Sequence, residues 1–449
     1  MSRPDAITPA LPAAPPSEEP YRPALLAWLF PPLTRREWQV FGIATTAGFF
    51  DNYDTALLNL ALRQVQRGLG IAEARLGDML SVVRLGNLLA LLMAPLADVF
   101  GRRRLLLYTI VGYTVFTGLS AVAPNSLSFV ACQFVARGFA GTEGIIALVL
   151  LVEEVRAEAR GWMVGLLGAL VAAGYGLAAI AFAQINWLPF GWRGLYALAL
   201  IPLLFIIPLR RLLPESRRFE RDQLARMVPE GVFRPLVELF RFSPKRLAMV
   251  ASTGFLVSLG NNPGSYLYAK YLQEAHGWTP GEVSELVFLG GAIGIFGNII
   301  AGRLSDRCGR RKMGSIFLML GPLLTIWMFQ ARDNSIIVAW VLRLFFDTAA
   351  ATIVSAYVAE LFPTVYRAAA GSALTVANTG GGALGLYLEG LLYVATGSHW
   401  TAICYLTIFW MMSPFVMLFA FPETAGLELE AIAPIPDPNL LLRTPAKGP

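Results

Sequence analysis

The sequence predicts an all-α membrane protein with twelve transmembrane helices in two pseudo-symmetric six-helix bundles, and three observations predict it. Of 449 residues, 56% are hydrophobic and only 15% charged, against roughly 25% charged in a soluble chain. Apolar stretches of about 20 residues, the length that crosses a bilayer as a helix, recur along the chain. The second six repeat landmarks of the first six at a nearly constant offset. A chain this poor in charge excludes a soluble multi-domain enzyme or a disordered scaffold.

The elements follow in order. Residues 1–35 are proline-rich and cannot bury enough apolar surface to order themselves. They lack the basic head, apolar run and cleavage site of a signal peptide, so a disordered cytoplasmic tail is expected. Spans are expected near 38–62, 76–98, 104–122, 126–150, 161–184 and 192–212, then near 247–271, 282–302, 314–330, 335–359, 368–395 and 400–420. The first bundle is thus 36–213 and the second 247–424, joined by a cytoplasmic loop at 214–246 and followed by a cytoplasmic tail at 425–449.

Charge sets the orientation. Segment 210–246 holds ten Lys/Arg against five Asp/Glu, most of the chain's net +6. Basic loops stay in the cytoplasm, which places both termini inside, as expected of a bacterial inner-membrane protein. The surplus therefore orients the chain and implies no nucleic-acid partner. Cys132 and Cys404 lie in apolar runs and Cys308 in a basic loop, with no disulfide or metal spacing. His276 and His399 fall near expected external loops, which leaves proton chemistry in the membrane to carboxylates. No phosphate-binding loop occurs and no nucleophile–base set shares a depth. An enzyme is therefore disfavoured, no cofactor is expected, and the energy source is an ion gradient.

The internal repeat has five landmarks. Asp98 in ADVFGRRR matches Asp306 in SDRCGRRK, Arg137 matches Arg343, and Glu153 and Glu154 match Glu360. Arg160 matches Arg367, and LPES at 213–216 matches FPET at 421–424. Repeated six-helix halves mark a class of transporters that bind substrate between the halves at mid-bilayer.

On these motifs, residues 38–425 resemble the major facilitator superfamily. Asp98-Val-Phe-Gly-Arg102-Arg103 resembles its signature between the second and third helices, with Ala94 where the usual form has glycine. Gly302-Arg-Leu-Ser-Asp306-Arg-Cys-Gly-Arg310-Arg311 is the complete copy. Arg137-Gly-Phe-Ala-Gly141 with Glu153, Glu154 and Arg160 resembles the fourth-helix pattern, and Glu360 to Arg367 its counterpart. Phe50-Asp51-Asn52-Tyr53-Asp54-Thr55 resembles the first helix of metabolite and aromatic-acid:proton symporters and also fits sugar porters. The seventh helix lacks the sugar porters' paired glutamines. The resemblance implies proton-coupled alternating access, an organic acid as favoured substrate, a sugar or polyol as alternative, and a uniporter or drug efflux carrier after that. A monomer in the bilayer is expected.

Charges inside the spans are the site candidates, because each costs about 2.5–3.5 kcal/mol at the bilayer centre. Asp51 and Asp54 lie about 20 and 24 Å along the first helix, and Arg137 lies about 16 Å down the fourth, so Asp54 and Arg137 can meet. Burial favours a neutral carboxyl and a neighbouring Arg an ionised one. A contact that changes between states therefore moves a proton, whereas a permanent one only joins helices. Asp54 is the expected proton site, Asp51 its alternate, and Glu143 either a substrate contact or second proton site, or an acid that faces water in the cavity or pairs across the bundle. Arg84 can approach the same acids. Arg343 and Asp347 are four apart and either pair locally or hold an anionic substrate. Arg84, Asn261, Asn262, Tyr266, Arg343, Asp347 and Asn378 are the substrate candidates. Asp98, Arg102, Arg103, Glu153, Glu154, Arg160, Asp306, Arg310, Arg311, Glu360 and Arg367 are the gating candidates, since such groups at helix ends make charge-assisted bonds.

Overall fold

The computed structural model of the protein describes residues 33–201, 234–363, 366–427 and 432. Most of the expected leader and C-terminal tail, the end of the sixth span and much of the central loop, including LPES at 213–216, lie outside the described residues. So do the side chains of Asp98, Glu153 and Arg160.

The first bundle comprises α1 (Arg35–Leu60), α2 (Glu73–Met93), α3 (Arg102–Ala121), α4 (Ser126–Glu154), α5 (Ala157–Ala183) and the described start of α6 (Trp192–Leu198). The second comprises α7 (Pro244–Ala275), α8 (Pro280–Cys308), α9 (Arg310–Gln330), α10 (Ser335–Leu361), α11 (Arg367–Thr396) and α12 (His399–Ala420). Capping boxes start several of them. Thr34 and Glu37 exchange bonds at the head of α1, Asn125 and Ser128 at α4, and Thr279 and Glu282 at α8; each pair satisfies amides that the first turn leaves free.

Among the described residues, eight helices are long and apolar enough to cross a membrane. The long helices outside that set are α1, α7 and α11. They are the ones that carry Asp51, Asp54, Asn261, Asn262, Asn378 and Glu389. Their polar residues lower the mean hydropathy, and Asp54, Asn261, Asn378 and Glu389 find partners within the protein rather than in lipid, where an unsatisfied polar group is costly.

The sequence repeat is also a backbone repeat. Gly101 (φ 91°, ψ 139°) and Gly309 (φ 97°, ψ 132°) both sit in the positive-φ turn that opens α3 and α9, a conformation that glycine adopts without strain. A Cβ on Gly174 would lie 2.0 Å from the Phe49 carbonyl oxygen, and one on Gly381 2.3 Å from that of Phe255. Gly174 and Gly381 are 207 residues apart, and Phe49 and Phe255 are 206 apart. The α1–α5 and α7–α11 contacts are thus the same close helix approach made twice, as small residues permit in membranes.

Across the bundles, α1 packs on α7, α2 on α11 and α5 on α8. The crossing is tightest near the start of α2, where a Cβ on Gly77 would lie 2.4 Å from the Leu386 carbonyl oxygen and 2.7 Å from the Gly390 amide. That end, opposite the Gly101 and Gly309 turns, also carries Ser284 Oγ donating to the Ala179 carbonyl at 2.7 Å and Gln64 bonded to Gln273 at 2.6 Å.

Candidate functional site

Halfway along the first bundle, α1 and α4 bring Asp54 and Arg137 together. Arg137 Nη2 lies 3.2 Å from Asp54 Oδ2 and donates to the Asp54 carbonyl at 3.2 Å, while Nη1 bonds Thr55 Oγ1. Both side chains are almost wholly buried, at 6% and 1% exposure. The depth match expected from helix geometry is therefore met. Asp51, one turn earlier, lies within electrostatic reach of Asp54 and Arg137. Tyr266 of α7 lies near Arg137 from the other bundle.

Glu143 is fully buried and neither carboxylate oxygen has a hydrogen-bond partner. The expectations of a water-facing acid and of a bonded pair both give way to an acid packed inside the first bundle near Tyr113 and Asp51. Arg84 reaches the second bundle, where a Cβ on Gly382 would meet both Asn262 Nδ2 (2.9 Å) and Arg84 Nε (3.1 Å). That Nε is buried and has no hydrogen-bond partner.

In the second bundle, Arg343 of α10 is 1% exposed. Its Nη2 donates to Asn261 Oδ1 at 2.5 Å and Ser265 Oγ at 2.8 Å. Its Nε stands 3.6 Å from Asp347 Oδ2, and its guanidinium lies 5.3 Å from the Trp340 ring centre. The local Arg343–Asp347 pair exists, but α7 supplies the shorter contacts. Asn262 Nδ2 donates to the Ser258 carbonyl at 2.8 Å, and Ser258 Oγ donates to Asn378 Oδ1 at 3.3 Å.

At the end with the Gly101 and Gly309 turns, the described gating candidates Glu154, Asp306, Arg310, Glu360 and Arg367 make contacts within their own bundles. Arg310 binds Glu360 at 2.7 Å and Asp306 at 2.9 Å, and Arg367 Nε donates to the Phe362 carbonyl at 3.2 Å. Glu154 is paired with Arg36 at 2.7 Å, and Glu37 with Arg156 at 3.1 Å; sequence reasoning missed Arg36, Glu37 and Arg156. It also missed Glu423 of the FPET repeat. Glu423 accepts the Arg310 amide at 2.8 Å and the Arg311 amide at 3.2 Å, so it sits on the positive N-terminus of α9. Burial pushes this carboxyl up, but backbone N–H donors from Ala425, Arg310, Arg311 and Thr424 outweigh it and hold it below the usual carboxylate range. Arg102 and Arg103 lie in the first turn of α3 and are partly buried.

At the opposite end lies a cluster that sequence reasoning also missed. His399 was expected beside a loop, yet it is 4% exposed. Its Nδ1 lies 2.5 Å from Glu389 Oε1 and its Nε2 2.9 Å from Glu73 Oε2. The available signals were a carboxylate inside the apolar run of α11 and the i, i+4 pair Lys270–Glu274.

The chain matches the Major Facilitator Superfamily over residues 44–271 and 250–434 and belongs to it. It is an integral membrane transporter of a small molecule. It is 27% identical to the sialic acid transporter NanX of Escherichia coli over 76% of this chain and 84% of that protein. It is 23% identical to the niacin transporter NiaP of Acinetobacter baylyi over 89% of this chain and 97% of that one. The inward-open structure of the xylose transporter XylE from E. coli superposes with a TM-score of 0.70 at 18% identity, covering 88% of this chain and 99% of that one. That likeness establishes the fold.

Proposed function

We propose that the chain moves a small organic acid together with a proton, by alternating access, across a bacterial inner membrane with both termini in the cytoplasm. The observation that carries the substrate class is Arg84. Its guanidinium crosses between the bundles beside Asn262, and its buried Nε has no partner. A substrate carboxylate there would complete a charge-assisted bond, the stronger kind. Asn261 and Asn262 already hold bonds within the protein, which favours an acid over a polyol needing free amides. NanX and NiaP are named for sialic acid and niacin, both carboxylic acids.

Asp54 is the proton carrier in this reading. The Arg137 contact offsets the burial of its charge. When substrate binding or rocking of helices within the first bundle draws Arg137 away, the carboxylate binds a proton; when the contact returns, it releases it. Transport activity is read by loading proteoliposomes under an acid-outside gradient with labelled nicotinate, sialic acid or xylose. Carboxylates accumulate and xylose does not. R84Q removes a charge-assisted bond of about 1.5–3 kcal/mol, so KM rises about 10- to 100-fold. Accumulation that ignores the pH gradient, or that selects xylose, contradicts the proposal.

A further inference from the structure

The contacts at the His399 end form a two-part latch. Glu73, in the turn that opens α2, is the contribution of the first bundle. It is held between two groups of the second bundle, with Lys270 Nζ 3.0 Å from Oε1 and His399 Nε2 2.9 Å from Oε2. Lys270 is fully buried and also binds Glu274 at 2.7 Å. Glu389, fully buried on α11, takes the other ring nitrogen of His399 and leaves its own Oε2 without a partner. Tyr393 stacks on the imidazole at 4.0 Å and Trp400 flanks it at 5.9 Å. Behind Glu274 stand Arg63 and Arg67 at 3.7 and 3.8 Å, and Gln66 reaches Glu73.

A neutral imidazole has one donor and one acceptor nitrogen, and an ionised carboxylate only accepts. With both acids ionised, the two carboxylates at the two ring nitrogens require both nitrogens to carry hydrogen. We propose that His399 is a second proton-binding site, and that its protonated ring latches this end of the transporter shut by joining Glu73 of the first bundle to Glu389 of the second. The loss of one proton leaves a single N–H. Glu389 shares the bundle of His399 and is buried beside it, so it keeps that bond. Glu73 then faces a lone pair, its hold falls to Lys270 alone, and the bundles part at the Gly77–Gly390 approach. The proton leaves to water on the side that this end faces. On the orientation proposed above, on which this inference rests for its sidedness, that water is external, and an acidic exterior closes the outer gate.

The test reads the gate rather than uptake. Spin labels replace Leu127 and Asn334, one at this end of each bundle, after Cys132, Cys308 and Cys404 are exchanged for serine. Electron–electron distance measurements in liposomes then follow the open-to-closed ratio between about pH 5.5 and pH 8.5. One linked proton makes that ratio rise with pH by at most about tenfold per unit. H399Q flattens the response, and E73Q flattens it with the histidine intact. Wild-type pH dependence in H399Q overturns the latch. Changing pH on one side only separates the two claims: a response to internal pH alone overturns the orientation and leaves the latch. The unmutated protein provides an independent arm, since it has only two histidines. With ¹⁵N-labelled histidine, and H276N for assignment, both His399 nitrogens are protonated in the closed state. A neutral ring there overturns the proposal whether or not H399Q folds.

Discussion

The two bundles hold an arginine at matching positions, and they hold it differently. Arg137 and Arg343 are 206 residues apart on α4 and α10. Arg137 is met by Asp54 at 3.2 Å, and Arg343 by Asn261 at 2.5 Å. Asn261 stands 207 residues after Asp54, on the matching helix α7. One bundle therefore presents its arginine with a carboxylate that can take a proton, the other with an amide that cannot. Asp347 has moved to the arginine's own helix, at 3.6 Å. The same scaffold thus sets a protonatable carboxylate against its arginine from the facing helix on one side of the pseudo-symmetry axis, and a neutral amide on the other.

The largest effect is expected from R137M. It leaves Asp54 buried without its cation, and breaking a buried pair costs about 3–5 kcal/mol. Thermal unfolding of the purified protein should show that loss, together with loss of uphill uptake. R343M should be milder, because Asp347 is a looser and more exposed partner at 3.6 Å than Asp54 is at 3.2 Å, and orphaning the neutral Asn261 and Ser265 costs about 1–3 kcal/mol. Equal losses would erase the asymmetry. D347N sharpens the comparison further. Arg343 keeps its two α7 contacts, so uphill uptake should persist with KM changed by less than about tenfold; uptake lost with exchange retained would make the second bundle a proton site as well.

The smallest effect concerns the helix caps beside the repeated glycine turns. E423Q removes the negative charge at the start of α9 and should cost about 0.3–1 kcal/mol. Its pH dependence has a definite sign. The folded-state value of Glu423 lies below the ordinary carboxylate value, so its contribution is present above the unfolded value near ~4.3 and is lost as pH falls through the folded one. Melting curves of wild type and E423Q should differ at neutral pH and converge in acid.

Much of this was legible in the sequence. The twelve apolar runs and the repeat gave the two bundles, and helix geometry placed Asp54 and Arg137 at one depth. The approach of Arg84 to Gly382 was not legible, because a depth along a helix does not say which neighbour a side chain faces. Glu143 was ambiguous for the same reason: an acid on a glycine-rich helix reads alike whether it turns to a cavity or into packed side chains. The latch was hidden because its members come from four separated segments, and a histidine at a helix start looks like a loop residue. Glu423 was visible only as part of a repeat, since a capping role depends on a chain segment more than 100 residues away.

The central claim, that the first bundle alone carries the coupling proton, meets its most direct test in D54N. Proteoliposomes measure acid-driven accumulation and substrate exchange in the same preparation. The account predicts that D54N loses accumulation and keeps exchange, and that N261D in that background does not restore coupling at wild-type pH dependence. Uphill accumulation in D54N at the wild-type level would contradict it.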